Sequence, residues 1–113
     1  MEQLLVLDAH NYDEDLPEIY RVAVRGIIFK KGQLLLIQSN FEELKFPGGG
    51  QEKGESDIDT LVREVLEETG YHVIRESVKE FGEVVEKRLS VHEPMIWHQI
   101  NRYYFCDIED TQD

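Results

Sequence analysis

The chain has 113 residues, of which 41% are hydrophobic, and this fits one small globular domain spanning residues 1–113. It carries 12 Lys and Arg residues against 24 Asp and Glu residues, a formal net charge of -12, and the basic residues form no run. We therefore expect no binding to nucleic-acid polymers, whose affinity depends on basic patches. Cys106 is the only cysteine, which excludes an internal disulfide framework and favours a reducing compartment.

The apolar run at residues 4–7 is the first hydrophobic segment of the chain. It is far shorter than the roughly 7–15 apolar residues of a signal core or the roughly 20 of a membrane span. We therefore expect a cytoplasmic protein with no membrane contact.

The first half of the chain predicts extended structure. Residues 1–16 combine the apolar run with an acidic stretch, and we predict an edge strand followed by a loop. β-Branched and aromatic residues predict a strand over residues 20–29, and the apolar run at 34–37, which follows a Lys-Lys-Gly turn, predicts a second. We expect these two strands to form a hairpin. Residues 39–54, rich in glycine, predict a long loop.

A helix is predicted next, because both its start and its stop are signalled. Ser56 can act as the N-cap, Asp59 follows three residues later as in a capping box, and Asp57 lies where the helix dipole favours an anion. Gly70 is expected to end the helix. An apolar stripe at helical spacing predicts packing on a sheet, and it consists of Ile58, Leu61, Val62, Val65 and Leu66.

Three later segments, residues 71–74, 78–88 and 97–108, have the composition of strands. We find no repeat and no low-complexity tract. Strands and one helix in this arrangement indicate a single α/β domain.

Three glutamates cluster on one edge of the predicted helix. At roughly 100° per residue, Glu64, Glu67 and Glu68 lie close together and away from the apolar stripe. Like charges at this spacing repel each other, at a cost of about a few tenths of a kcal/mol per pair. The cluster is either a solvated surface, as charged helix faces usually are, or a site for hard divalent cations, which would convert the repulsion into chelation.

The spacing around these glutamates resembles the signature of the Nudix hydrolases, G-x5-E-x7-R-E-U-x-E-E-x-G-U, where U is aliphatic. All seven named letters fit between Gly49 and Gly70, and Val65 supplies the first aliphatic residue. Tyr71 departs from the pattern at the last position, which alters local packing and no catalytic group. The preceding "KFPGGG" is also similar to that family.

The resemblance implies a Nudix-like α/β/α sandwich with a mixed sheet. Such domains usually continue with another strand and a helix, so we expect this chain to lack its C-terminal strand and helix. It also implies a hydrolase that cleaves a diphosphate linkage in a nucleoside diphosphate linked to a moiety X. The expected cofactor is Mg²⁺, with Mn²⁺ as an alternative, and the expected partner is a small nucleotide derivative. A homodimer is an alternative assembly.

By the same resemblance, the carbonyl of Gly49 and the side chains of Glu67 and Glu68 are expected to hold the metal. Glu64 either joins them or acts as general base on the attacking water. Arg63 belongs to the catalytic group, because an arginine among carboxylates lowers their pKa values and holds them in register. Glu55 is expected to support the site from the loop.

Residues outside the signature are expected to choose the substrate. Arg21 and Arg25 share one face of a predicted strand and either contact phosphates or lie in solvent, paired with acids. A further metal ligand or an alternative general base is expected among Glu83, Glu86 and Glu93. An aromatic ring that stacks on the nucleobase is expected among Phe41, Trp97 and Tyr103, unless these rings belong to the core.

Two other functions remain open on the same fold. One is a non-catalytic module that binds or senses nucleotides, against which the intact glutamate cluster argues. The other is a diphosphate isomerase, which is disfavoured because no cysteine lies near the signature.

Overall fold

The computed structural model describes residues 1–40 and 42–112, and its centre is a mixed five-stranded sheet. Its five strands are β1 (Gln3–Asp8), β2 (Glu18–Ile27), β7 (Gly48–Gly50), β9 (Lys79–Leu89) and β10 (Ile96–Phe105). The order across this sheet is β1-β9-β10-β2-β7. β10 runs antiparallel to β9 and parallel to β2, β1 runs parallel to β9, and β7 runs antiparallel to β2. The predicted mixed sheet and the predicted edge strand near the start are therefore confirmed.

Six short strands form three separate ribbons. β3 pairs with β4, β5 with β6, and β8 with β11, all antiparallel. Their bounds are β3 (Phe29–Lys30), β4 (Gln33–Leu34), β5 (Ile37–Gln38), β6 (Leu44–Lys45), β8 (Tyr71–Val73) and β11 (Ile108–Gln112).

Three sequence predictions need correction here. The hairpin is confined to β3 and β4, because both edges of β2 are already paired with β10 and β7. Its turn, Lys31 and Gly32, has positive φ at both positions, 52° and 77°, as a tight two-residue hairpin requires. The predicted loop at 39–54 contains β6 and β7, and the strand predicted over 97–108 ends at Phe105 before β11 begins.

Helix α1 (Asp57–Thr69) begins and ends where the sequence predicts. Ser56 Oγ accepts from the Asp59 amide at 3.1 Å, and the Ser56 amide donates to the Asp59 carboxylate at 3.2 Å. Gly70 closes the helix in the left-handed conformation, with φ of 77°. Leu61 and Val65 of the apolar stripe are fully buried and pack against Val24 and Ile28 in the core.

The two faces of the sheet have different environments. Val24 faces α1, and side chains alternate along a strand, so Arg21, Ala23 and Arg25 point to the opposite face. In register with them on β10 lie Gln99, Asn101 and Tyr103.

Within residues 1–40 and 42–112, α1 is the only α-helix, so it is the one helical layer among the described residues. None of the described helices is long and apolar enough to cross a membrane. The prediction of a missing C-terminal strand and helix stays a prediction.

Candidate active site

The site is built where β7 leads through a short loop into α1. Glu55, in that loop, is held in place by two donors besides arginine: its Oε1 accepts from the Glu52 amide at 2.9 Å and from Thr60 Oγ1 at 3.1 Å. Thr60 is fully buried and also donates to the Ser56 carbonyl at 3.1 Å. The first turn of the helix therefore fixes the carboxylate that precedes it.

Arg63 is the central donor of the cluster. Its Nε donates to Glu55 Oε2 at 2.7 Å, and its Nη2 donates to Glu55 Oε1 at 2.9 Å. Nη2 also donates to the Gly50 carbonyl at 3.0 Å. Nη1 donates to Glu64 Oε1 at 2.9 Å and lies 3.5 Å from Glu67. One guanidinium thus joins the loop, the end of β7 and the acidic edge of α1, as a planar fork of five N–H donors permits.

These contacts shift the pKa values of the partners in opposite directions. Arg63 hydrogen bonding, followed by the Glu52 amide, lowers the pKa of Glu55 to about 2. Hydrogen bonding to Glu55, joined by Glu64, raises the pKa of Arg63 further above its usual range. Both groups therefore stay charged at neutral pH, and the ion pair is permanent there.

Glu64 lies directly against Gly49. A Cβ built at Gly49 would fall 2.5 Å from both Cδ and Oε2 of Glu64, closer than side-chain atoms ever approach. Glycine at this position therefore leaves the space that the Glu64 carboxylate occupies. Arg63 donates a hydrogen bond to Oε1 of Glu64, while Oε2 has no hydrogen-bond donor among the described residues.

Glu68 lies one turn further along the same edge. Its Oε1 accepts from the amide of Gly48 at 2.8 Å, which ties the helix to β7. Burial raises the pKa of Glu68, and nearby Glu64 adds to this, while the Gly48 amide, Arg25 and Lys45 oppose it. A carboxylate beside another carboxylate is the kind of group that a cation stabilises.

The residues present fit a hard divalent cation. Glu64 and Glu68 each keep one oxygen without a donor among residues 1–40 and 42–112, and Glu67 is 58% exposed at the rim. Oxygen donors of this kind suit Mg²⁺. Within the same described ranges, no group of three or more His, Cys, Asp and Glu side chains already converges on one point. The three glutamates share an edge, with Glu64 turned to Gly49 and Glu68 to Gly48.

The predicted substrate arginines lie on the other face of the sheet, and the described residues contain no acid within ion-pair distance of either. Arg21 Nη1 donates to Gln99 Oε1 at 3.1 Å, and Arg25 Nη1 donates to the Phe46 carbonyl at 3.1 Å. Arg25 is in register with Gly48 of β7. It therefore lies next to the residue that holds Glu68.

A cavity of about 310 Å³ opens beside Arg25 on this face, between the sheet and residues 44–46. Lys45, Glu86 and Tyr103 are among its lining residues, and the Tyr103 ring meets Phe46 edge-to-face at 5.7 Å. The cavity thus brings together charged and aromatic side chains that the sequence could only offer as separate candidates.

The other candidates have different surroundings. Glu83 pairs with Arg102 at 3.6 Å, Glu93 is exposed in a loop, and Trp97 packs under Arg88 at 5.6 Å. Phe41 lies outside the described residues.

Sequence reasoning missed the role of Asp57 in placing the loop. Its carboxylate accepts from Gln51 Nε2 at 2.8 Å, from Arg102 Nη1 at 3.1 Å and from the hydroxyl of Tyr104. Gln51 directly follows the glycines of β7. Asp57 therefore connects the glycine loop and the start of α1 to the C-terminal half of β10.

A family model and several known proteins match most of this chain. The NUDIX domain model matches residues 19–113. "Nucleoside diphosphate-linked moiety X motif 6" of Xenopus laevis is 32% identical over 95 residues, covering 80% of this chain and 41% of that protein. "mRNA-decapping protein OPG121" of Monkeypox virus is 41% identical over 76 residues, covering 67% of this chain and 32% of that protein.

Among solved structures, a NUDIX hydrolase from Nitrosomonas europaea superposes with a TM-score of 0.64 at 23% identity. The match covers 84% of this chain and 62% of that one, and at this identity it shows the fold alone. The chain spans less than half the length of the two curated relatives. From the domain match and the relatives above 30% identity, the chain belongs to the Nudix hydrolase family.

Proposed function

We propose that the chain hydrolyses a diphosphate linkage in a nucleoside diphosphate linked to a second moiety, with Mg²⁺ as cofactor and Mn²⁺ as the alternative ion. Glu67, Glu68 and the carbonyl of Gly49 would hold the ion, and Glu64 would either join them or act as the general base. The observation that carries the proposal is Glu64: Arg63 fixes one of its oxygens at 2.9 Å, and the other lies against Gly49 with no donor among the described residues.

The bound cation would neutralise the diphosphate oxygens and polarise the phosphorus. Where Glu64 acts as the base, its Oε2, which has no donor among the described residues, takes a proton from the attacking water. Arg63 keeps this carboxylate in one orientation, since the same guanidinium is anchored on Glu55 and on the Gly50 carbonyl. Water attack on one phosphorus would break the bridging P–O bond and release a nucleoside monophosphate and the phosphorylated second moiety.

Arg25 and Lys45 connect the glutamates with the cavity electrostatically. Both act electrostatically on Glu68, and both line the cavity beside Tyr103. Two cations between an acidic cluster and a pocket suit the phosphates of a nucleotide whose remaining part lies in the pocket. The name of one relative, for a nucleoside diphosphate-linked moiety, supports the same substrate class.

A non-catalytic nucleotide-binding module is the second candidate. It is favoured by one observation: within residues 1–40 and 42–112, the acidic side chains do not already converge as a metal cluster. Turnover separates the two, because a binding module would gain thermal stability with nucleotide and release no product.

The test is release of mononucleotide from nucleoside triphosphates, nucleotide sugars, ADP-ribose and dinucleoside polyphosphates, with Mg²⁺ and with chelator. Glu64→Gln removes the charge at nearly constant shape, and we expect the turnover number to fall by at least about a hundredfold. Glu76→Gln, an exposed glutamate in the turn Arg75–Ser77, is the matched control. An unchanged rate for Glu64→Gln would exclude it as the base.

A further inference from the structure

Glu86 places an unpaired charge in the wall of the cavity beside Arg25. It lies on β9, it is partly buried, and neither a hydrogen bond nor an ion pair joins it to another described residue. A carboxylate that loses water needs donors in exchange. The groups that satisfy Glu86 in a complex are therefore donors on the ligand.

The neighbour of Glu86 across the sheet is Gln99, its register partner on β10. Gln99 is 6% exposed, and its orientation is determined by its contacts. Arg21 can only donate, so the atom that it meets at 3.1 Å is the carbonyl oxygen of Gln99. The amide nitrogen of Gln99 donates one hydrogen to Asn101 Oδ1 at 2.7 Å. Its second N–H has no acceptor among the described residues.

This part of the wall thus presents one fixed N–H donor beside the two acceptor oxygens of a carboxylate. The complementary ligand edge has one acceptor followed by two donors. Guanine has that order along its pairing edge: O6, then N1–H, then the 2-amino group. Adenine and cytosine each place a single amino donor next to an acceptor, and uracil places one N–H between two acceptors.

We propose that the cavity binds the base of a guanine nucleotide. Glu86 accepts from N1–H and the 2-amino group, and Gln99 donates to O6. The assignment deepens the proposed function and rests on it, because Arg25 and Lys45 are the side chains that join the cavity to the glutamate cluster.

Two further properties of the cavity fit a purine base. Its volume of about 310 Å³ lies at the lower end of the range for ligand pockets, roughly 300–1,000 Å³. Phe46 and Tyr103 supply aromatic surface in the same wall. Stacking on such rings holds a base without choosing among bases, so the choice falls to Glu86 and Gln99.

The first test changes the ligand and leaves the protein intact. Dissociation constants of GMP, IMP, AMP and UMP are measured by calorimetry without metal. IMP keeps O6 and N1–H but lacks the 2-amino group, so it leaves one oxygen of Glu86 without a donor. We expect GMP to bind more tightly than IMP by roughly tenfold to a hundredfold, the range for a lost hydrogen bond to a charged group, and AMP and UMP to bind no better than IMP. Equal affinities for GMP and IMP would overturn the proposal.

The second test changes Glu86. In Glu86→Gln the preference for GMP over AMP should fall by at least about tenfold, because the amide offers one acceptor in place of two. Glu80→Gln, an exposed glutamate on the same strand, should keep the preference. If Glu86→Gln slows every substrate by one common factor and leaves the base preference unchanged, Glu86 acts on the phosphates or the metal, and the proposal is wrong.

The two proposals fail in different ways. Guanine preference in binding without cleavage of any diphosphate supports the base assignment and refutes hydrolysis. Cleavage at equal rates for all four bases supports hydrolysis and refutes the assignment of guanine to this cavity.

Discussion

Gly49→Ala should lower the turnover number strongly with little loss of fold. The added Cβ would lie 2.5 Å from Cδ and Oε2 of Glu64, whereas ordinary contacts begin at 3.4 Å. The carboxylate must therefore move by about 0.9 Å, the difference between the two distances. A displacement of about 1 Å at a reacting group costs roughly a hundredfold in rate, so we expect a loss of that order in the turnover number.

The assay is Mg²⁺-dependent mononucleotide release, with the melting temperature as the readout of folding. Gly82→Ala is the matched control, because a Cβ there would come equally close, 2.5 Å, but to the side chain of Leu4 on the edge strand. It should leave the turnover number unchanged. If Gly49→Ala keeps full activity, the position of Glu64 seen here does not matter for the reaction.

Two further predictions concern the groups that hold the site together. Arg63→Met removes the partner that lowers the pKa of Glu55 from its ordinary 4.5 to about 2. Because the pKa of Glu55 is lowered in the folded protein, Glu55 stabilises the fold above about pH 4.5, and this contribution disappears as the pH falls towards 2. The variant lacks most of this contribution, so it should lose less stability than the parent between these two pH values. Urea unfolding at each pH measures the difference. Asp57→Ala removes the acceptor shared by Gln51, Arg102 and Tyr104, and should lower the free energy of unfolding by at least about 2 kcal/mol, the cost of losing a single hydrogen bond to a charged group. An unfolding curve like that of the parent would show that the connection to β10 does not contribute.

The parts of the fold that the sequence predicts correctly depend on near neighbours. Helix α1 is fixed by Ser56, Asp59 and Gly70, all within the helix or one residue from it, and the structure shows each cap as expected. The same holds for the edge of α1 that carries the glutamates. Local signals were sufficient here because every contact involved spans one or two turns.

The errors occur where pairing partners are distant in sequence. The residues after Phe105 read as a continuation of a strand, and only their pairing with Tyr71–Val73 shows that β11 is separate. Asp57 accepts from residues 45 and 47 positions away, which no local pattern reports. The choice between Glu83 and Glu86 needs the register of β9 against β10, because side chains on a strand alternate between the two sides of the sheet.

The spacing of the signature has a physical reason in this structure. Glu55 stands just before α1 and Arg63 about two turns into it, so the guanidinium can reach back to both oxygens of Glu55 and still touch Glu64 with its remaining nitrogen. A lysine has a single nitrogen and could not make these contacts together. Arg63 therefore offsets the mutual repulsion of the glutamates only at the oxygens that it contacts. The free oxygen of Glu68 is one that a cation would occupy, and the free oxygen of Glu64 would either hold the same cation or take the proton of the attacking water.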